Sequence, residues 1–212
     1  MELHELLEQV RQGKVSVEQA EGLLRRSPFD ELDFAKLDLH REIRSGFPEV
    51  VFCQGKRDEH LTAILRRLYE SNGFVLGTRA TPAQYALAAE ILPRVGYDPV
   101  SRLLWVGELP QPQRGNIVVC TAGTADIPVA EEAARTAECF GRRVERIYDV
   151  GVSGLHRLLS RLDILQRANC IVAVAGMEGA LASVIGGLVS CPVIAVPTSV
   201  ATGRTWAACP PF

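Results

Sequence analysis

The chain has 212 residues, 47% of them hydrophobic and 23% charged, with a formal net charge of −2. That balance suits a globular protein of one large or two modest domains with a real core. It excludes a nucleic-acid or membrane-surface binder, which concentrates a basic face; the arginine pairs at 25–26, 66–67 and 142–143 read as solvated helix or strand ends.

The opening stretch "MELHELLEQVRQGK" is amphipathic and charged and lacks the apolar centre of a signal peptide. The longest uncharged apolar run, "GALASVIGGLVSCPVIAVP", carries glycines and a proline that fit a helix, turn and strand rather than a membrane span. A cytoplasmic protein with no membrane partner is expected. None of the six cysteines falls in a CxxC or Cys/His ligand spacing. No metal site, disulfide frame or cofactor is therefore expected, and Cys120, Cys170 and Cys191 read as small buried hydrophobes.

Residues 2–26 predict a helix, a turn and a second helix that starts at a Ser16–Gln19 capping box. "DFAKLDLHREI" alternates like a strand and "EVVFC" is another. Residues 57–71 form an amphipathic helix on Leu61, Ile64, Leu65 and Leu68. "GFVLGTRA" follows as a strand, "TPAQYALAAEIL" as a helix with proline at its start, and "DPVSRLLWVG" as a strand. This makes residues 1–110 a mixed α/β domain. The polar, proline-containing "ELPQPQRGN" (108–116) is the best linker in the sequence.

From residue 116 to 212 the pattern becomes strand, helix, strand, helix. The strands are "NIVVCTAG", "RVERIYDVG", "CIVAVAG" and "CPVIAVP", and the helices begin near "PVAEEAARTAECFG", "SGLHRLLSRLDILQRA" and "EGALASVIGGLV". Apolar strands joined by short helical crossovers require a parallel sheet covered on both faces, a doubly wound α/β fold. Ligands of such sheets bind outside the carboxyl ends of the strands.

Three loops meet that condition. In "TAGTADIP" Gly123 permits close backbone approach and Thr124 offers a hydroxyl. Asp126 reads equally well as a plain helix cap or as a ligand of a ribose hydroxyl. In "YDVGVSG" Asp149 ends a strand, Gly151 follows, and Ser153 is placed to cap the next helix. His156 in that helix reads as a packing or surface residue ahead of a proton shuttle. In "GMEGALASVIGGL" Gly176 and Gly179 make room, Met177 supplies an apolar wall, and Glu178 is a base, a ribose ligand or a partner of the helix dipole. The first loop has neither a Walker lysine nor a GxGxxG pattern, so neither nucleotide fingerprint applies.

Taken together these loops resemble the PurE-type aminoimidazole ribonucleotide (AIR) carboxylase domain over roughly residues 116–200. The closer resemblance is to the LarB family of nickel-pincer-nucleotide biosynthesis, which carries a PurE-like C-terminal domain. It rests on "LDLHREIRSGFPEVVFCQGK" (37–56), "VCTAGTADIPVAEEAARTAE" (119–138), "IYDVGVSGLHRLL" (147–159) and "AGMEGALASVIGGLVSCPVIAVPTSV" (175–200).

The resemblance implies carboxylation of the pyridinium ring of nicotinic acid adenine dinucleotide at C5, with cleavage of its phosphoanhydride to release AMP. Substrate-binding residues would be Gly123, Thr124, Asp126, Asp149, Gly151, Ser153, Gly176, Met177, Glu178 and Gly179. Asp126, Glu178 and a cysteine nucleophile would be catalytic, the last being Cys209 if this chain supplies it. His40, Arg41, Arg44, Glu49, Lys56 and Arg79 are further candidates for holding phosphates or carboxylate, with surface charge as the alternative. The resemblance also implies a homo-oligomer, an octamer in PurE-like domains.

Two departures bear on these expectations. Asp149-Val150-Gly151 stands where the purine enzymes carry Ser-x-His, which counts against the alternative of a PurE-type purine carboxylase. The ending "ATGRTWAACPPF" departs from the family's glycine-rich turn and cysteine-bearing helix, so a C-terminally truncated, non-catalytic homologue is the other alternative.

Overall fold

The computed structural model describes residues 3–25, 30–39, 41–111, 114–176 and 179–199. The chain divides into two compact units, Met1–Glu108 and Leu109–Phe212.

In the first unit α1 (Leu3–Arg11) and α2 (Val17–Arg25) form the expected helical pair. Ser16 and Gln19 cap each other reciprocally: the Gln19 amide donates to Ser16 Oγ (3.1 Å) and the Ser16 amide to Gln19 Oε1 (2.9 Å). The segment expected as one strand over "DFAKLDLHREI" is different. Asp33 and Phe34 turn the chain between β1 (Asp30–Leu32) and β2 (Ala35–Leu37), an antiparallel hairpin, and α3 (Arg41–Ser45) follows. The apolar spacing served both shapes, because the hairpin also packs Leu32, Ala35 and Leu37 onto the unit's core.

Next come β3 (Val50–Phe52), α4 (Asp58–Asn72), β4 (Val75–Thr78), α5 (Pro82–Ile91), β5 (Val95–Asp98) and β6 (Leu103–Val106). The four strands order as β3-β4-β6-β5, with β3 and β4 parallel and the other pairs antiparallel. Helix α4 buries Leu61, Ile64, Leu65 and Leu68, and Gly73 ends it at φ 69°, where a side chain would be strained. The strand expected over residues 98–107 is instead a hairpin turn and β6. Asp98 makes the turn, accepting from the Val100 amide (3.1 Å) and from Ser101 Oγ (2.9 Å).

Thr81 opens α5 with a full capping box: its Oγ1 accepts from the Gln84 amide and Gln84 Oε1 accepts from the Thr81 amide. Gln84 Nε2 also donates to the buried carbonyl of Cys53 (3.1 Å), tying α5 to the loop after β3. Thr81→Ala should lower unfolding free energy by about 1 kcal/mol in urea titration, the usual cost of losing such a cap.

The second unit is the doubly wound α/β domain that its pattern predicts. It runs β7 (Arg114–Thr121), α6 (Ile127–Cys139), β8 (Arg142–Ile147), α7 (Leu155–Leu159), α8 (Leu162–Gln166), β9 (Cys170–Ala175), α9 (Ala180–Gly186) and β10 (Val193–Pro197). All four strands are parallel, in the order β10-β9-β7-β8. Side chains alternate across the sheet. Val119 and Val174 meet Ala130 and Ala134 of α6 on one face. Val118, Cys120, Ile171 and Ala173 meet Leu158, Leu165, Leu181 and Ile185 of α7, α8 and α9 on the other.

The single helix expected over 153–168 is broken. A 3-10 turn (Val152–Gly154) precedes α7, and α7 and α8 are separated at Ser160–Arg161, with Leu158 and Leu165 both fully buried. No helix among the described residues is long and apolar enough to cross a membrane.

Candidate functional site

Helix α6 leaves β7 toward β8, whereas α9 leaves β9 toward β10. The carboxyl ends of the adjacent strands β7 and β9 are thus the point where the winding reverses, the place where ligands of such sheets bind. The loops after β7, β8 and β9 surround it.

Backbone hydrogen bonds lock these loops to one another. The Ala122 amide donates to Val174 O (3.0 Å), Val150 to Thr121 O (2.9 Å) and Gly151 to Ala122 O (2.9 Å). Thr121 Oγ1 accepts from the Asp149 amide (3.0 Å). At Gly151 the approach is so close that a Cβ would lie 2.7 Å from Ala122 O.

Asp126 sits at the centre of this lattice, only 5% exposed. Its Oδ2 accepts from the Gly123 amide (3.1 Å) and its Oδ1 from Thr198 Oγ1 (2.6 Å), just past β10. It makes no side-chain cap on α6. The helix-cap reading gives way: each carboxylate oxygen accepts from one of the chain's own donors, and Asp126 thereby joins the β7 loop to the end of β10. Thr124 lies exposed at the start of the 3-10 turn Thr124–Asp126.

Asp149 adopts φ 58°, a conformation that non-glycine residues rarely hold, and its carboxylate is ion-paired with Arg157. Strain of this kind persists where surrounding contacts over-determine it, here the bond to Thr121 and the pair with Arg157. Ser153 does not cap α7 as expected. The 3-10 turn moves the helix start onward, so Gly154 occupies the cap position and no side chain bonds there.

In the third loop the Gly179 amide donates to Gly176 O (3.1 Å), and Gly179 holds φ 67°. A side chain there would be strained although space is open. Met177, Glu178 and Cys209 lie outside the described residues.

Residues 29–108 match the family model described as the LarB/PurE-like N-terminal domain, and residues 116–208 match that of AIR carboxylase. The chain is also 36% identical over 212 residues to the uncharacterized protein MJ0165 of Methanocaldococcus jannaschii, covering 95% of this chain and 82% of that protein. This chain belongs to the LarB family. Its second unit is accordingly a carboxylase-like domain of the AIR carboxylase type.

Within this LarB-family chain, five cysteines are described, none of them in a disulfide. Burial pushes the Cys120 thiol up to about 12. Burial raises Cys53 to about 11 against the opposing charge of Lys56, and raises Cys139 to about 11 with help from Glu138. Cys170 is raised too, by burial and then by Cys191; it begins β9 and Cys191 precedes β10, both at the amino end of the sheet. No group of three or more His, Cys, Asp or Glu suited to a metal ion occurs among the described residues.

The first-unit candidates are placed as follows. Glu49 accepts from the Asp38 amide (2.6 Å). Arg41 and Arg44 fall in α3, and His40 lies outside the described residues. The Lys56 amide donates to Cys53 O. Arg79 holds φ 56°, and Arg102, itself at φ 57°, clasps it by donating to Arg79 O (3.2 Å) and Ala80 O (3.3 Å).

Sequence reasoning missed Thr121, Thr198 and Arg157. The signal for the first two was present, a threonine at or just past the carboxyl end of an apolar strand. Arg157 was hidden because its partner Asp149 was read as a ligand.

Gly151→Ala tests the locked loops. The added methyl must displace the Ala122 carbonyl, and a shift of order 1 Å near the chemistry can cost about a hundredfold in turnover. The measurement is turnover beside thermal midpoint: activity should fall far more than stability.

Proposed function

We propose that this chain is a pyridinium-3,5-biscarboxylic acid mononucleotide synthase. It carboxylates nicotinic acid adenine dinucleotide at C5 of the pyridinium ring and hydrolyses the phosphoanhydride with one water, releasing AMP. The observation that carries this reading is the winding reversal between β7 and β9, flanked by glycine-bearing loops, in a chain whose first unit matches the LarB/PurE-like N-terminal domain and whose second matches AIR carboxylase.

The chemistry fits the residue types. Carbon dioxide is small, apolar and uncharged, so its pocket needs close backbone and small side chains. Gly176, Gly179 and Ala180 supply these at the mouth. A pyridinium ring is cationic and is favoured by a nearby carboxylate, the role given to Glu178. The ring is electron-poor and cannot attack carbon dioxide directly. A thiolate must first add to it, giving an enamine-like dihydropyridine whose C5 is nucleophilic.

That thiolate is assigned to Cys209. Among the other five cysteines, Cys53, Cys120 and Cys139 are buried and hard to ionise, while Cys170 and Cys191 sit at the opposite end of the sheet. After carboxylation the C5 proton is lost and the thiolate leaves, restoring the aromatic ring.

The test is mass spectrometry on purified protein incubated with nicotinic acid adenine dinucleotide and labelled bicarbonate. The reading predicts a labelled mononucleotide one carboxylate heavier than nicotinic acid mononucleotide, in equal amount with AMP. Unchanged dinucleotide after prolonged incubation would count against it.

A further inference from the structure

Strand β8 is an edge of the second unit's sheet, and among the described residues its outer side is not paired with another strand. A groove of about 500 Å³ lies there, between the carboxyl half of β8 with its following loop and α7 with the start of α8. This volume is that of a site for one small molecule. Its apolar surface comes from Ile147, Val150 and Ile164, and its charged lining is Arg146, Asp149, Arg157 and Arg161.

The charges are not balanced. Asp149 and Arg157 neutralise each other as an ion pair, and Arg146 is committed to Glu131 and Glu138. The Arg161 guanidinium makes no hydrogen bond or ion pair with any described residue, so the groove carries one uncommitted cation. An unpaired guanidinium beside apolar surface suits a phosphate oxygen pair, which it can hold in bidentate fashion. A free strand edge offers alternating N–H and C=O groups. Adenine presents a matching acceptor beside an amino donor.

The groove also adjoins the winding reversal. Asp149 lines the groove while its amide is bonded to Thr121 at the end of β7. A dinucleotide with one half at the winding reversal can therefore lay its other half along β8.

We propose that the groove between the free edge of β8 and α7 is a subsite for a purine nucleoside monophosphate group, with Arg161 as its phosphate ligand. This rests on the reading that the substrate is a dinucleotide, of which the groove holds the adenylate half that is released.

The experiment is calorimetric titration of the full chain with AMP, inorganic phosphate and nicotinic acid mononucleotide, each separately. It compares the wild type with Arg161→Gln and Arg167→Gln. Arg167 is exposed, pairs with Asp163 and lies outside the groove, so its variant controls for net charge. Losing a charged hydrogen-bond partner should weaken AMP about tenfold or more in Arg161→Gln. The control should leave AMP unchanged, and neither variant should alter nicotinic acid mononucleotide.

Arg161→Gln binding AMP as tightly as the wild type would overturn the assignment, as would no AMP binding by the wild type. Phosphate binding as tightly as AMP would overturn the nucleotide class. The expected AMP pattern without any binding of nicotinic acid mononucleotide would support the groove and sink the dinucleotide substrate.

Discussion

Cys209→Ser is expected to cut turnover of nicotinic acid adenine dinucleotide by at least about a thousandfold, while substrate affinity stays within about twofold. The size follows from the mechanism. Without addition of a thiolate to the pyridinium there is no electron-rich C5, so the variant loses the step that makes carboxylation possible. Serine keeps the volume but its hydroxyl is a far weaker nucleophile near neutral pH.

The five other cysteines make the experiment sharp. Cys53, Cys120 and Cys139 are each less than 5% exposed with thiols pushed to about 11, about 12 and about 11, so thiolate is scarce at any of them near neutral pH. Cys120→Ala should therefore retain turnover once stability is matched. The measurement is single-turnover product formation for both variants, with substrate affinity from calorimetry. Turnover that survives Cys209→Ser and disappears in Cys120→Ala would reverse the assignment.

Arg146→Met should lower unfolding free energy by about 3 kcal/mol at neutral pH, because it strips the cation from two half-buried carboxylates. Arg146 donates to Glu131 Oε1 (2.7 Å) and Oε2 (3.2 Å) and to Glu138 Oε1 (2.6 Å) and Oε2 (3.1 Å). Its side chain is 24% exposed, against 12% and 27% for the two acids, so water screens the cluster only in part. Tyr148 donates a further hydrogen bond to Glu131. In the variant Arg135, 3.7 Å from Glu131 and 3.2 Å from Glu138, is left to face both. For a chain of this length the thermal midpoint should fall by roughly 6–12 °C.

The effect carries a pH signature. Burial alone would raise Glu131, but hydrogen bonds from Arg146 and Tyr148 and the charge of Arg146 outweigh it and hold the carboxyl below its ordinary 4.5. A group with a depressed folded pKa stabilises the fold fully above its unfolded pKa, and loses that contribution as pH falls through the folded one. The wild type should therefore lose stability steeply below about pH 4.5 while Arg146→Met loses less, and the gap between them should narrow in acid. Urea titrations from neutral pH into acid measure it. A gap that widened in acid would contradict the account.

Most of the second unit could be read in the sequence, because uninterrupted apolar strands such as "NIVVC" and "CIVAVA" occur only in a sheet covered on both faces. The broken helix at Ser160–Arg161 could not, since leucines at 158, 162 and 165 suit one helix or two. The first unit was harder. Its hairpins turn at Asp33–Phe34 and Asp98–Arg102 within an alternation that reads as continuous strand, the second turn being held by the Asp98 side chain.

For the site, the three loops were legible from strand-end glycines and acids, but individual roles were not. The structural part of Asp126 depends on Thr198, 72 residues away, whose hydroxyl donates to its carboxylate. Asp149 likewise depends on Arg157, which no spacing rule marks. Long-range partners of this kind are invisible in a single sequence.

The most direct test of the central claim is a side-by-side assay of nicotinic acid adenine dinucleotide and aminoimidazole ribonucleotide, each with labelled bicarbonate. The account predicts label in the pyridinium product with one AMP released per carboxylation, and none in the imidazole. Label in the imidazole, with the dinucleotide untouched, would contradict it and make this chain a purine-type carboxylase.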